Sequence, residues 1–170
     1  NLIAWAYTPE LSYNATDIAN DLAKIQSYGA NAVYIAHSNP GYIEDVEPTE
    51  IGLTFSVWYT AKKHSVSSEA LTRANAIINQ VHVALSAAQN LNLKVLLAVG
   101  YQIQMSKHWN EQNQDALRKN RDGSLMNHWG SGVTASPYSA AFQNAIREYY
   151  HWVKAEFVLR YPHIVALNLA

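Results

Sequence analysis

The stretch that most restricts the possible fold class of this chain is Lys94-Val95-Leu96-Leu97-Ala98-Val99-Gly100. A short apolar run closed by a glycine is typical of a strand that is buried on both faces, as in parallel sheets. A helix is predicted just before it, from about residue 68 to residue 90. The apolar stripe of that helix consists of Leu71, Ala74, Ile78, Val81, Leu85 and Ala88. A helix followed directly by a buried strand indicates one unit of an α/β fold.

The same alternation extends to both sides of this unit. Upstream, residues 2–7 and 32–36 form two more apolar runs, and a helix is predicted between them from about residue 16 to residue 28. Downstream, Ser136-Pro137 is a helix-start signal and residues 164–169 form a fourth apolar run. The buried face of that last helix is predicted to comprise Phe142, Ile146, Tyr149 and Val153. The order β-α-β-α-β-α-β predicts a parallel sheet, here the first four strands and three helices of a TIM (β/α)8 barrel.

Two long connections, about 38–66 and 101–135, both follow predicted strands, whereas the helix-to-strand connections are short. In barrel enzymes the loops that follow the strands build the active site. We therefore treat residues 1–170 as a single partial domain whose functional face is the carboxyl end of the sheet. The last apolar run lies at a sheet edge, so we expect the second half of a barrel, in the same or another chain, to cover it.

Composition excludes several classes of protein. Of the 170 residues, 49% are hydrophobic and 15% are charged, which excludes a disordered segment. A formal net charge of -1 gives no basic surface for nucleic acid, and no apolar stretch reaches the roughly 20 residues of a membrane helix. Cysteine is absent, and neither G-x-G-x-x-G nor G-x-x-x-x-G-K occurs. Thiol chemistry and a phosphate-binding glycine loop are therefore excluded.

The titratable residues do not indicate a metal or cofactor. None of the seven histidines forms a His-x-x-x-His pair, so we predict no metal site and no cofactor. The acidic residues of the connections are interpreted as solvated loop charges: Glu10, Glu44, Asp45, Glu47, Glu50, Glu111, Asp115 and Asp122.

A sequon and the aromatic content suggest where the protein works. Asn14-Ala15-Thr16 predicts glycosylation of Asn14. Eleven tyrosines and five tryptophans are typical of an extracellular or cell-surface protein that handles polar, ring-shaped ligands. A cytoplasmic location is the alternative.

Four segments of the chain share an order and spacing with a known family. They are Tyr7-Thr8-Pro9-Glu10; Asp21-Leu22-Ala23-Lys24-Ile25 leading to Gly29-Ala30-Asn31-Ala32-Val33; Glu47-Pro48 followed by Gly52, Phe55 and Trp58; and Asp122-Gly123 followed by Ser136-Pro137. Together they resemble the β-galactosidase-like enzymes of clan A glycoside hydrolases.

The resemblance implies a complete eight-stranded barrel and retaining cleavage of a β-linked sugar by two carboxylates, one after strand four and one after strand seven. Both would lie beyond Ala170, so no catalytic residue is predicted within this chain. Tyr34 stands where the family has an arginine that orients the nucleophile, and Asn168-Leu169 stands where it has Asn-Glu. Tyr34 favours the alternative of a non-catalytic carbohydrate-binding or cell-surface structural protein.

The strand ends that face the long connections carry side chains suited to sugars. Aromatic faces stack on the C–H surfaces of sugar rings, and amides and imidazoles bond the hydroxyls. We predict that an oligo- or polysaccharide binds to Tyr7, His37, Asn39, Tyr101, Gln102, His128, Trp129 and Asn168. Tyr7 has the alternative of a core position, the role we assign to Trp5. Trp109 is predicted to pin its loop to the barrel, and for Trp58 and Tyr59 both roles stay open.

Overall fold

The computed structural model describes residues 1–10, 12–35, 53–63, 67–100, 105–126 and 133–169. They form a four-stranded parallel sheet in which sequence order is also spatial order. The strands are β1 (Ala4–Tyr7), β2 (Ala32–Ile35), β3 (Lys94–Ala98) and β4 (Ile164–Asn168). The α/β class and the parallel sheet predicted from the sequence are confirmed.

Five α-helices connect and flank these strands in the described part of the chain. They are α1 (Ala15–Ser27), α2 (Phe55–Trp58), α3 (Ser68–Asn90), α4 (Lys107–Gln112) and α5 (Ala140–Val153). α2 and α5 each continue into a π-helical turn, over Tyr59–Lys63 and Lys154–Val158. None of the helices in these ranges is long and apolar enough to cross a membrane. α2 and α4 lie within the two predicted long connections and are too short to show helical periodicity.

The sheet has two different faces. Alternate residues of a strand point to opposite sides, and the parallel register aligns them across neighbouring strands. The outer face packs against the helices through the buried residues Val33, Ile35, Val95 and Leu97. The inner face is the opposite side and carries Ala6, Tyr34, Leu96, Ala166 and Asn168. The large apolar side chains of β2 and β3 that belong to the hydrophobic core lie on the outer face, so the helices cover that side.

β1 forms one edge of the sheet, and this explains the position of Trp5. The indole shares the outer face with Val33, its partner in register, yet it is 45% exposed. Its ring stacks on Tyr28 at a centroid distance of 5.6 Å. Among the described residues β1 pairs with β2 on one side alone, so Trp5 lies at an open edge, and its predicted core position stays a prediction for a closed barrel.

α1 begins at the sequon. The Asn14 Oδ1 accepts hydrogen bonds from the amides of Thr16 and Asp17 at 2.8 and 3.1 Å, and the Asp17 carboxylate accepts one from the Asn14 amide at 3.0 Å. This reciprocal capping box stabilises the first turn. Asn14 is exposed, and its glycosylation stays a prediction.

α5 begins three residues later than the sequence indicated. Ser139 is the N-cap, and its Oγ accepts from the Phe142 amide. Ser136 and Pro137 instead lie in a turn closed by a hydrogen bond from the Ser139 amide to the Ser136 carbonyl at 3.0 Å. The fixed φ of proline suits the second position of such a turn as well as a first helical turn, so the dipeptide alone does not distinguish the two.

Tyr149 of α5 fastens the helix layer to the carboxyl end of β3. Its side chain is completely buried, and its hydroxyl donates to the Val99 carbonyl at 2.7 Å. Burial raises the pKa of the Tyr149 phenol, so the hydroxyl stays protonated and remains a donor. The hydroxyl of the neighbouring Tyr150 is also buried but has no partner, and burial raises its pKa to about 12.

Tyr149→Phe and Tyr150→Phe form a matched pair. Loss of the Tyr149 hydroxyl leaves the buried Val99 carbonyl without this donor, so we expect the free energy of unfolding to fall by about 1–3 kcal/mol. Tyr150→Phe removes a buried hydroxyl that has no partner, so we expect a change near zero or a small gain. Urea denaturation of the natural-length protein measures both. Equal losses in the two variants would contradict the anchoring role of Tyr149.

Two histidines are packed at the opposite, amino-terminal side of the sheet. His82 of α3 stacks on Phe157 at 4.7 Å, and its ring nitrogens contact the Tyr161 hydroxyl at 2.9 Å and Glu156 at 3.0 Å. The Nε2 of His163 contacts the Leu85 carbonyl at 3.0 Å, and its Nδ1 is buried without a partner. Burial lowers the pKa of both imidazoles, and for His82 it outweighs the opposing effect of Glu156.

These shifts make stability depend on pH. A histidine whose folded pKa lies below its unfolded value of 6.5 is protonated first in the unfolded chain, so stability is lost as pH falls below that value. We expect the free energy of unfolding to drop as the pH falls from about 7 through 6.5 and below. His163→Gln should reduce this drop, because it removes one of the two histidines whose pKa burial lowers. A wild-type stability that rises on acidification across this range would contradict the assignment.

Candidate functional site

The carboxyl ends of the parallel strands meet at one edge of the sheet. β1 leads there into Thr8-Pro9-Glu10, β3 into Val99-Gly100 and β4 into Leu169. In parallel barrels the active site lies at this edge and is built from the loops and from residues at the strand ends. The candidate site is therefore assembled from the residues at the carboxyl ends of the strands and the segments packed around the end of β3.

The inner face is bridged by one polar contact. The Asn168 Nδ2, at the end of β4, donates to the hydroxyl of Tyr34 in β2 at 2.6 Å. Both residues are partly buried. Their strands are not neighbours, because β3 lies between them. The contact brings a hydroxyl and an amide together near the carboxyl ends of β2 and β4.

An aromatic cluster supports the end of β3 from the outside. Phe55 lies at its centre, with ring-centroid distances of 5.2 Å to Trp58, 5.9 Å to Tyr149 and 6.4 Å to Trp109. Trp58 and Trp109 are 3% and 4% exposed, so both pin their segments to the domain. Tyr59 stacks on Phe55 at 5.6 Å and donates its hydroxyl to the Gln112 Oε1 at 2.9 Å. This bond joins the two segments that follow β2 and β3.

Gly100 allows these segments to approach the end of β3. Its φ is +80°, and a Cβ at this position would lie 3.0 Å from the Leu53 carbonyl oxygen and 3.1 Å from the Thr54 Cα. Both contacts are with backbone atoms, which cannot rotate away. A side chain at residue 100 would therefore push the segment that begins at Leu53 away from the sheet.

A comparison of Gly100→Ala with Gly29→Ala separates the cost of backbone strain from the cost of a steric clash. Gly29 also has a positive φ, of +90°, but nothing lies within 4 Å of the point that a Cβ would occupy there. Both variants carry the backbone strain of alanine in the left-handed region, and Gly100→Ala adds the clash. We expect Gly100→Ala to lower the free energy of unfolding by about 1–3 kcal/mol more than Gly29→Ala. Equal losses of unfolding free energy in the two variants would contradict this expectation, because the segment at Leu53 would then move aside without destabilising the fold.

The segment after α4 is a small antiparallel structure at the same end of the domain. Bridges pair Leu117 with Ala135 and Lys119 with Leu125. Its tip is stabilised by Asp122, whose Oδ1 accepts from the Ser124 hydroxyl at 2.6 Å and from the Ser124 amide at 3.0 Å. These bonds lower the pKa of the Asp122 carboxyl. The four described acids of the connections are exposed: Glu10, Glu111, Asp115 and Asp122.

The structure brings one predicted site residue to the inner face and places another elsewhere. Asn168 lies on the inner face. Tyr7 lies on the outer face, 8% exposed, with its hydroxyl donating to the Asp21 Oδ2 at 3.3 Å. Burial and the nearby Asp21 raise the pKa of the Tyr7 phenol. The predicted sugar-binding role of Tyr7 does not match this position, which corresponds to its alternative core role. Six predicted site residues lie outside the described residues: His37, Asn39, Tyr101, Gln102, His128 and Trp129.

Tyr34 was not predicted from the sequence to be a site residue. It was noted only because the resembling family has an arginine at this position. The alternation around it contained the signal, because Val33 and Ile35 belong on the helix-covered face and Tyr34 must then point the other way. In the ranges given above, no three histidine, aspartate or glutamate side chains are grouped so that they could hold a metal ion.

Comparisons with known proteins bear on the fold. No protein-family model matches the chain, and no curated protein matches it in sequence. Among solved structures, a β-galactosidase from the psychrophilic Marinomonas ef1 matches 99% of this chain with a TM-score of 0.63 and 12% identity. A pullulanase mutant from Paenibacillus barengoltzii, complexed with maltotriose, matches 99% at 0.60 and 12%. The maltogenic α-amylase AmyB from Thermotoga neapolitana matches 98% at 0.58 and 11%.

The fold resembles part of the barrels of these solved enzymes. The match extends over nearly the whole chain and includes the parallel sheet with its helices, which confirms the partial TIM-barrel architecture. The chain spans 21% of the β-galactosidase, 30% of the pullulanase and 38% of the amylase. At these levels of identity the comparisons establish the fold, and activity is a matter for proposal.

Proposed function

We propose that this chain contributes to the catalytic domain of a glycoside hydrolase that acts on an oligo- or polysaccharide. The observation that carries the proposal is the Tyr34–Asn168 pair on the inner face, at the end of the sheet where barrel enzymes bind their ligands. The similarity of the fold to those of a β-galactosidase, a pullulanase and an amylase supports the proposed substrate class.

The polar pair near the strand ends suits the hydroxyl groups of a sugar ring. A phenol and an amide each donate and accept hydrogen bonds, which is what neutral hydroxyls require. His37, Asn39, Tyr101, Gln102, His128 and Trp129 are proposed to extend this surface from the strand ends.

The proposed mechanism is double displacement at a β-linked sugar. One glutamate attacks the anomeric carbon as the other protonates the departing oxygen, which gives a covalent glycosyl-enzyme. The second residue then removes a proton from water, which attacks the anomeric carbon and releases the first glutamate. Both glutamates are proposed to lie beyond Ala170, in the part of the barrel that completes the sheet. The four described acids of the connections are exposed and off the inner face, so none is proposed for either role.

A second candidate is a carbohydrate-binding or cell-surface structural protein. Tyr34 favours it, because a phenol replaces the arginine that the resemblance implies for orienting a nucleophile. An extracellular or surface location and glycosylation at Asn14 belong to either proposal. The fold is shared by both, so the chemistry at the strand ends must distinguish them.

Hydrolysis of aryl glycosides distinguishes the candidates. The natural-length protein is expected to release nitrophenol from a nitrophenyl β-galactoside faster than from a nitrophenyl α-glucoside, because the resemblance implies a β-linked substrate. Proton NMR should show that the first sugar released keeps the β-configuration. Residues 1–170 alone are expected to hydrolyse neither substrate.

Each other result has a defined meaning. Faster hydrolysis of the α-glucoside would keep the enzyme class and overturn the proposed linkage. An α-anomer as the first product from the β-galactoside would overturn the retaining mechanism. Absence of hydrolysis together with binding to a polysaccharide column would favour the non-catalytic candidate.

A further inference from the structure

We infer that Tyr34 is a positioning residue that holds the amide of Asn168 toward the sugar. This inference rests on the proposed function and names a residue that neither the resemblance nor the comparisons assign to such a role. The structural basis is a 2.6 Å bond between the Asn168 Nδ2 and the Tyr34 hydroxyl across the inner face.

The bond spans an intervening strand. Neighbouring strands lie about 4.8 Å apart, so β2 and β4 are separated by roughly 10 Å at the level of the backbone. Tyr34 is opposite Leu96 in register, and Asn168 is opposite Ala98, two residues nearer the carboxyl end. Tyrosine is long enough to reach across on this diagonal. The small side chain of Ala98 leaves the path over β3 open.

Hydrogen bonds hold both the backbone and the side chain of Asn168. Its backbone carbonyl accepts from the Val99 amide at 3.0 Å, which fixes its main chain to the end of β3. Its side-chain nitrogen is fixed by Tyr34. An asparagine amide rotates readily about its terminal bond, so without the phenol its orientation would depend on other contacts. Partial burial strengthens the bond relative to one in bulk water.

The consequence for a ligand is preorganisation. A fixed amide meets a sugar hydroxyl without first losing rotational freedom, which stabilises the bound state. Tyr34 acts through Asn168 in this scheme, so its removal should affect substrate recognition only while Asn168 is present.

A double-mutant cycle tests this dependence. In the natural-length protein, kcat/KM for the nitrophenyl glycoside that is hydrolysed fastest would be measured for Tyr34→Phe, Asn168→Ala and the double variant. We expect Tyr34→Phe to lower kcat/KM by about 10-fold and Asn168→Ala by more. The double variant should equal Asn168→Ala. Tyr150→Phe, which removes a partnerless hydroxyl of α5, is the control and should match wild type.

A crystal structure of the Tyr34→Phe protein gives a readout that needs no activity. The Asn168 amide is expected to occupy a different or a second rotamer, whereas β4 should remain in place. An Asn168 side chain unchanged from wild type would overturn the inference. A double variant with the product of the two single losses would also overturn it, because Tyr34 would then act independently of Asn168.

Different results would contradict the enzymatic function and the positioning role of Tyr34. If wild type hydrolyses no aryl glycoside, the proposed enzymatic function fails, and the rotamer of Asn168 alone decides the positioning role. If wild type is active and Tyr34→Phe retains full kcat/KM, the positioning role fails and the enzymatic proposal stands. A Tyr34→Phe protein that lost its thermal unfolding transition would overturn the inference, because Tyr34 would then be required for folding.

Discussion

Burial of the outer face of β2 and β3 beneath the helix layer is the constraint on which the rest of the structure depends. Val33, Ile35, Val95 and Leu97 are each no more than 1% exposed. Complete burial of one such side chain stabilises the fold by about 1.5–3 kcal/mol. A shift of register by one residue would turn all of them toward the inner face, so this burial fixes the register. Because side chains alternate along a strand, the strand residues that lie between these four, Tyr34 included, point to the inner face.

A second set of contacts determines the shape of the carboxyl end. Tyr149 reaches from α5 to the Val99 carbonyl, and Phe55 packs on the same tyrosine ring. Gly100 leaves space for the backbone at Leu53. Val99 in turn donates its amide to the Asn168 carbonyl. A short chain of contacts therefore connects a buried helix residue to a residue of the candidate site, so packing in the core and geometry at the strand ends are physically linked.

The sequence was sufficient for features that depend on local periodicity. α3 has the predicted bounds, and the four strands differ from their predicted runs by one or two residues at an end. What local periodicity did not supply depended on partners distant in the chain. Trp5, which was predicted to lie in the core, is exposed at the β1 edge of the described sheet. Tyr7 was assigned to the site because it ends a strand, but its position in the alternation turns it toward Asp21. The contact of Asn168 with Tyr34 joins residues 134 positions apart, and no local pattern encodes it.

Tyr34 stands where the resemblance implies an arginine, and the two side chains differ in what they can do. A guanidinium attracts a carboxylate and lowers its pKa, whereas a neutral phenol offers a single hydrogen bond and no net charge. Tyr34 is moreover already paired with Asn168, which makes this part of the face a neutral surface for hydroxyl groups. Any carboxylate that reacts at a bound sugar must then be oriented and charge-compensated by groups other than Tyr34. The Tyr34–Asn168 pair is the same in an enzyme and in a binding protein, so residues at the other strand ends must determine which of the two proposed functions applies.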